Sequence, residues 1–319
     1  MPEHLSLLSL LKHNGYKTSF YYGGDSHFDN MDVFLRKNKI DTINDEHTFP
    51  SGYEKMPGEN TWGYGDKELF RRFLETSTQP QPYANVVLTV STHSPFFVNQ
   101  QDVYMQHFEQ RMNELGFDEN QKKSHRNYKY QYASILFTDD AVRNFINNYK
   151  LRPDFNNTVF LITGDHRMPE IPMATKIDRY HVPLVMYSPL LNRTAKFSSI
   201  STHFDVTPSL LAWLKHSYNL QVPDIASWMG SGLDTARDFR NIHAYPLMQT
   251  KNEVSDFVMG EYMLNGNDLF HIYGNMDIEP EQNDKKANEL KSAFNTFKQK
   301  NEQFIKGAKL IPDSLYKRY

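Results

Sequence analysis

Three places in the chain put chemically able side chains directly after an apolar run: Gly23-Gly24-Asp25-Ser26-His27, Ser91-Thr92-His93 and Gly164-Asp165-His166. Asp165 and His166 make the best pair. Neighbours just past a strand point in different directions, yet a sharp turn after Gly164 brings both side chains to one ion. Carboxylate oxygen with neutral imidazole suits Mn²⁺ or Zn²⁺, and suits Ca²⁺ or Mg²⁺ less well. The same residues also suit a plainer arrangement, with Asp165 capping a turn and His166 on the surface. His93 sits in a tight turn before Pro95. An imidazole there can donate to a phosphate or sulfate oxygen or protonate a leaving group; a turn histidine bonded to its own loop fits equally well. Gly23-Gly24 permits close backbone approach to an anion, or is only a turn. His181 and His203 are weaker candidates, and in His203-Phe204-Asp205 the carboxylate reads more simply as a helix N-cap.

The elements that must position these residues follow from periodicity. Leu5 to His13 has helical spacing and stops at Asn14-Gly15. Thr18 to Tyr22 reads as a strand closed by Gly23-Gly24, with a short helix from Asn30 to Arg36. Asn44 to Asn60 holds Pro50, Gly52, Pro57 and Gly58 and reads as an excursion loop. Asp66 to Glu75 is an amphipathic helix with Asp66 as N-cap. Asn85 to Val90, Thr158 to Thr163 and Val182 to Tyr187 read as three buried strands, the first of them buried on both faces. Tyr128 to Tyr149 is a long helix whose apolar face holds Tyr132, Ile135, Leu136, Val142, Phe145 and Ile146. Ser201 to Leu214 is a helix with Asp205 and Pro208 at its start. Asp256 to Leu264 and Asp268 to Tyr273 flank Asn265-Gly266, a hairpin signal. Asp284 to Gly307 is a charged helix.

Strands alternating with helices up to about residue 220 argue for an α/β fold with a mostly parallel sheet and helices on both faces. An antiparallel hairpin and a final helix then lie at the C-terminal edge. No linker divides the chain, so residues 1–235 and 236–319 read as parts of one domain. In open parallel sheets ligands gather beyond the strands' C-terminal ends, where all three polar clusters fall.

Composition narrows the function classes. The 319 residues carry a net charge of −3, which gives no support to a nucleic-acid surface or a polybasic membrane surface. Cys is absent, so disulfides, thiolate metal sites and a cysteine nucleophile are excluded. No apolar run approaches the roughly 18–20 residues of a membrane helix. Met1-Pro2-Glu3-His4 opens no signal peptide, and the chain reads as soluble.

Seven blocks, in order, carry a resemblance. They are Tyr22-Gly23-Gly24-Asp25 with Phe28-Asp29-Asn30-Met31; Trp62-Gly63-Tyr64-Gly65-Asp66; Val90 to Phe96; Tyr132 to Phe145; Thr163 to His166; Val182-Pro183-Leu184 with Tyr187-Ser188-Pro189; and Asp205 to Leu211. Across about residues 5 to 235 the chain resembles the C-terminal part of the lipoteichoic acid synthase-like branch of the sulfatase and alkaline phosphatase superfamily. The resemblance implies an alkaline phosphatase-like three-layer sandwich. It also implies a metal-dependent phosphoglycerol transferase, or a related phospho- or sulfo-ester hydrolase, acting on envelope glycolipid or glycan. Such enzymes work outside the cytoplasmic membrane, usually tethered by N-terminal helices. By the family pattern, Asp165 and His166 are two ligands of a metal, normally Mn²⁺, with Zn²⁺ or Mg²⁺ as alternatives, and His93 binds the anionic, possibly lipid-linked substrate.

The departures set further expectations. The family's nucleophilic Thr and another acidic ligand lie upstream of the segment matched by Leu5, so the chain is expected to be a piece of such an enzyme and inactive alone. Asp29 and Met31 stand where the family has a phosphate-binding aromatic and arginine. A formylglycine sulfatase is unsupported, because neither a Cys nor a Ser-x-Pro-x-Arg stretch is present. The competing reading is a non-catalytic module that binds an anionic ligand.

Overall fold

The computed structural model describes residues 3–59, 61–78, 80–226, 228–250 and 253–319. Met1, Pro2 and Asn60, named above, lie outside them. The first half is built on a parallel sheet of β1 (Lys17–Tyr22), β2 (Thr42–Asn44) and β3 (Tyr83–Leu88), in the order β2-β1-β3. Phe20 pairs with Ile43 on one side and with Val86 on the other.

Alternation along β1 sorts its side chains between two layers. Tyr21 packs with Leu69, Phe70 and Phe73 of α3 (Asp66–Thr76) and with Phe145 and Tyr149 of α6 (Lys129–Tyr149). Phe20 and Tyr22 face the other way, onto Leu35 of α2 (Met31–Lys37), Met56 and Val90. Helices therefore cover both faces of this sheet, as the sequence led us to expect. The chain enters through α1 (Leu7–His13), which a Ser6–Ser9 capping box starts.

Several expectations need correction. The buried stripe of α6 is Ala133, Phe137, Ala141, Phe145 and Tyr149, a strict i, i+4 row, whereas Ile135 is 40% exposed. Alanines alternating with aromatics form this face because α6 packs against both α3 and α4 (Gln101–Glu114). Neither α4 nor α5 (Glu119–Arg126) was foreseen: α5 is polar throughout, and α4 carries its buried row of Tyr104, Phe108 and Met112 among many polar residues. Asp66 is not the cap of α3; Gly65 is. The strands expected to be buried are only half-buried. β4 (Phe160–Thr163) pairs antiparallel with β5 (Leu184–Tyr187) as a separate two-stranded sheet, and Leu184, Val185 and Met186 are 39%, 49% and 40% exposed. A continuous apolar run records what a strand can bury, not what covers it.

α7 (His203–Tyr218) is capped by Thr202, and Asp205 is the third residue of the capping box rather than the cap. The expected C-terminal hairpin is larger than foreseen. Gly260 splits the expected strand from Asp256 to Leu264, so that β6 (Ala244–Thr250), β7 (Glu253–Met259), β8 (Tyr262–Asn265), β9 (Asp268–Ile272) and β10 (Ile278–Pro280) form one antiparallel sheet in sequential order. Asn265 pairs with Asp268 across the two-residue turn at Gly266, whose φ of +61° suits glycine. Leu290 and Phe294 of α8 (Asp284–Ile305) pack on Phe257, Leu264 and Leu269, and the short α9 (Asp313–Tyr316) buries Leu315 near the C-terminus.

Candidate active site at the strand ends

The end of β1 turns at Gly23-Gly24 because the backbone of the 62–64 segment passes there. Tyr64 N–H donates to Gly23 O at 2.8 Å. A Cβ on Gly23 would meet Tyr64 O at 2.0 Å, and one on Gly24 would meet Trp62 O at 2.7 Å. The glycines make room for this close backbone packing. Beyond them, Asp25 Oδ1 lies 2.7 Å from His27 Nδ1 and 3.4 Å from His47 Nε2. His27, through its backbone N–H and its ring, holds the Asp25 carboxyl at about 2, and Asp25 in return raises the His27 imidazole.

Two loops make this arrangement. Asp25-Ser26-His27 follows β1 and Asp45-Glu46-His47 follows β2, its parallel neighbour. Ser26 Oγ donates to Asp45 Oδ2 at 2.6 Å, with both residues buried. Glu46 N–H donates to Gly24 O at 3.0 Å, and Asp45 Oδ1 accepts His47 N–H at 3.2 Å. Among the described residues, Asp25, His27 and His47 are the group of metal-capable side chains whose ligand atoms lie within 4.8 Å of one another. His47 was not singled out from the sequence. The repeated Asp-x-His after two adjacent parallel strands is the signal that could have found it.

The end of β3 carries His93. Asp66 fixes the turn: its carboxylate accepts the N–H groups of Val90 and Ser91, at 2.9 and 3.1 Å, and the Thr138 hydroxyl at 2.7 Å. His93 is exposed and meets the Trp62 ring edge-on at 4.4 Å, while Trp62 Nε1–H donates to Ser94 O at 2.6 Å. His93 Nδ1 lies 3.1 Å from the same carbonyl. A carbonyl can only accept, so Nδ1 carries the proton and Nε2 is left to face outward.

Asp165 and His166, just past β4, are exposed. His166 Nδ1 lies 2.7 Å from Arg167 O, which puts the proton on Nδ1 and the lone pair on Nε2. That nitrogen is 3.7 Å from Asp165 Oδ2, while Asp165 Oδ1 accepts the His166 N–H at 2.9 Å. An imidazole that gives Nδ1–H to a carbonyl and keeps Nε2 free is oriented as a metal ligand. The spacing to the carboxylate is close to the roughly 3.3 Å between neighbouring ligands of a tetrahedral ion with bonds of about 2.0–2.1 Å. The donor set therefore fits a divalent metal.

The His93 ring meets Trp62 and Ser94 O, and the side chains of Asp165 and His166 hydrogen-bond within residues 165–167. Tyr22, at the end of β1, links the clusters electrostatically. Burial pushes its phenol up to about 12, with the negative charges of Glu46, Asp25 and Asp165 adding to the shift. Of the weaker candidates, His203 Nε2 lies 3.1 Å from Thr163 Oγ1 at the end of β4. Asp205 is fully buried and accepts from Ser231 N, Gly232 N and the Tyr245 hydroxyl.

Comparison with known proteins agrees with this architecture. The sulfatase family model matches residues 1–216. Phosphoglycerol transferase I of Escherichia fergusonii is 27% identical over 169 residues, which are 52% of this chain and 20% of that protein. The enzyme of the same name from Citrobacter koseri matches equally. The chain thus spans about a fifth of the length of these relatives. The lipoteichoic acid synthase LtaP of Listeria monocytogenes superposes with a TM-score of 0.67 at 16% identity, over 98% of this chain and 75% of that one. An alkaline phosphatase superfamily protein from Vibrio parahaemolyticus does so at 0.60 and 20% identity, over 95% and 69%. The fold is the α/β fold of that superfamily. No helix among the described residues is long and apolar enough to cross a membrane.

Proposed function

Because this chain belongs to the sulfatase family, we propose that its strand-end rim binds a divalent metal through Asp165 and His166 and an anionic phospho- or sulfo-ester through His93. The observation that carries this reading is that each of the two imidazoles gives its Nδ1–H to a neighbouring carbonyl, which leaves Nε2 for a ligand. The metal, Mn²⁺ before Zn²⁺ or Mg²⁺, would neutralise phosphoryl or sulfuryl oxygens and lower the pKa of a bound hydroxyl. His93 would meet a non-bridging oxygen of the ester through Nε2 while Trp62 holds its ring. Asp165 and His166 would hold the ion through Oδ2 and Nε2.

The relatives named phosphoglycerol transferase I favour a glycerol phosphate ester, and the family resemblance adds envelope glycolipid or glycan as its carrier, outside the cytoplasmic membrane. Family resemblance implies a hydroxyl nucleophile, and none of Asp165, His166 and His93 is one. We take the isolated chain to bind such a substrate without turning it over. Residues 1–235 and 236–319 act as one domain in this reading, since Tyr245 donates its hydroxyl to Asp205 at 2.5 Å across that boundary.

Calorimetric titration with Mn²⁺ and then with glycerol 1-phosphate tests the proposal. Asp165→Ala should weaken Mn²⁺ binding at least tenfold and the phosphate ester with it. Unchanged ester binding in Asp165→Ala favours the metal-free binding module instead. Turnover of a phosphodiester by the pure chain with Mn²⁺ would refute the inactive reading.

A further inference from the structure

We propose that Asp25, His27 and His47 form a second divalent-metal site, selective for Zn²⁺-class ions, at the C-terminal ends of β1 and β2. The ligand set is one carboxylate and two imidazoles, the donor mixture that Zn²⁺ takes in sites with three protein ligands and one open position. Asp25 Oδ1 is the hub: His47 Nε2 stands 3.4 Å from it and His27 Nδ1 stands 2.7 Å from it. The first distance already matches the roughly 3.3 Å ligand spacing around a tetrahedral ion, and the second needs about 0.6 Å of opening. The two rings do not stack on each other; their centroids are 6.2 Å apart at 66°, which leaves room between them.

The site is built rather than accidental. Its ligands come from two loops that the buried Ser26–Asp45 hydrogen bond and the Glu46–Gly24 backbone bond fasten together. Asp45 does not compete for the ion, because Ser26 and the His47 N–H occupy its two oxygens. Glu46 points its carboxylate at Lys55, 2.9 Å away. Fastening the two loops on adjacent parallel strands holds the backbones of Asp25, His27 and His47 together, although the three side chains themselves are exposed or half-buried. The open fourth position takes water or an oxygen of an anionic ligand.

The inference is independent of the reading of Asp165 and His166, and variants separate the two. Zn²⁺ titration by calorimetry, followed by metal analysis of the dialysed protein, should show one tight site in Asp165→Ala/His166→Gln. That site should weaken at least thirtyfold in His27→Gln/His47→Gln, with circular dichroism confirming the fold of both. In the unsubstituted protein, Zn²⁺ should shift the imidazole proton resonances of His27 and His47 together, at one equivalent or less. An unaltered Zn²⁺ isotherm in His27→Gln/His47→Gln, or shifts confined to His166, would overturn the proposal.

Discussion

Asp66 and Ser91 hold each other from both sides: the Asp66 N–H donates to Ser91 Oγ at 2.9 Å, and the Asp66 carboxylate accepts the Ser91 N–H at 3.1 Å. This reciprocal pair ties the first turn of α3 to the exit of β3. Two residues further on, the chain presents His93. The position of an exposed candidate binding residue is thus set by a fully buried carboxylate.

Removing that carboxylate leaves the Val90 and Ser91 N–H groups and the Thr138 hydroxyl without their acceptor. Buried donors stripped of a charged partner cost about 3–5 kcal/mol in total. Asp66→Ala should therefore lower the urea midpoint strongly. Asp66→Asn, which keeps one acceptor oxygen, should lose less. Equilibrium unfolding of the two variants measures the difference.

A second carboxylate gives a pH signature away from the site. Burial by itself raises the Asp41 carboxyl, but the Lys12 ammonium at 2.6 Å and the Thr18 N–H and hydroxyl outweigh it and hold the group at about 2. Its folded value lies below the unfolded one near 4. The stabilisation is therefore complete above about pH 4 and is lost as pH falls toward 2. The side chain is partly exposed, so the contribution is about 1–2 kcal/mol. Asp41→Asn should flatten the fall of the melting temperature between pH 4 and pH 2 and lower the melting temperature at pH 7.

Trp62 joins the site through packing. Its ring meets His93 at 4.4 Å and Phe28 at 5.0 Å, and its indole N–H anchors Ser94. Trp62→Ala should weaken binding of glycerol 1-phosphate about tenfold, roughly one lost oriented contact, while Mn²⁺ affinity stays unchanged. Equal weakening of both would mean that the indole supports the rim as a whole rather than His93.

Much of this was legible in the sequence where one physical signal dominated. β1, α3 and the Gly266 turn follow from an aromatic run closed by Gly23-Gly24, an amphipathic stripe and a turn residue. The signal failed where partners far along the chain decide. Asp66 and Asp205 look like N-caps locally, yet their acceptors serve Val90, Ser91 and Thr138 in one case and Ser231, Gly232 and Tyr245 in the other. The face of α6 shifted because α4, which was not foreseen, packs on it through Tyr104 and its neighbours. Asp165, His166 and His93 were visible because each follows an apolar run. His47 was not, because a three-residue strand precedes it.

The most direct test of the account is anomalous diffraction from crystals of the chain soaked in Mn²⁺ and phosphate. The account predicts a manganese peak about 2.0–2.3 Å from Asp165 Oδ2 and His166 Nε2, with a phosphate oxygen within hydrogen-bond distance of His93 Nε2. A fully occupied manganese peak that touches neither Asp165 nor His166, or phosphate bound away from His93, would contradict it.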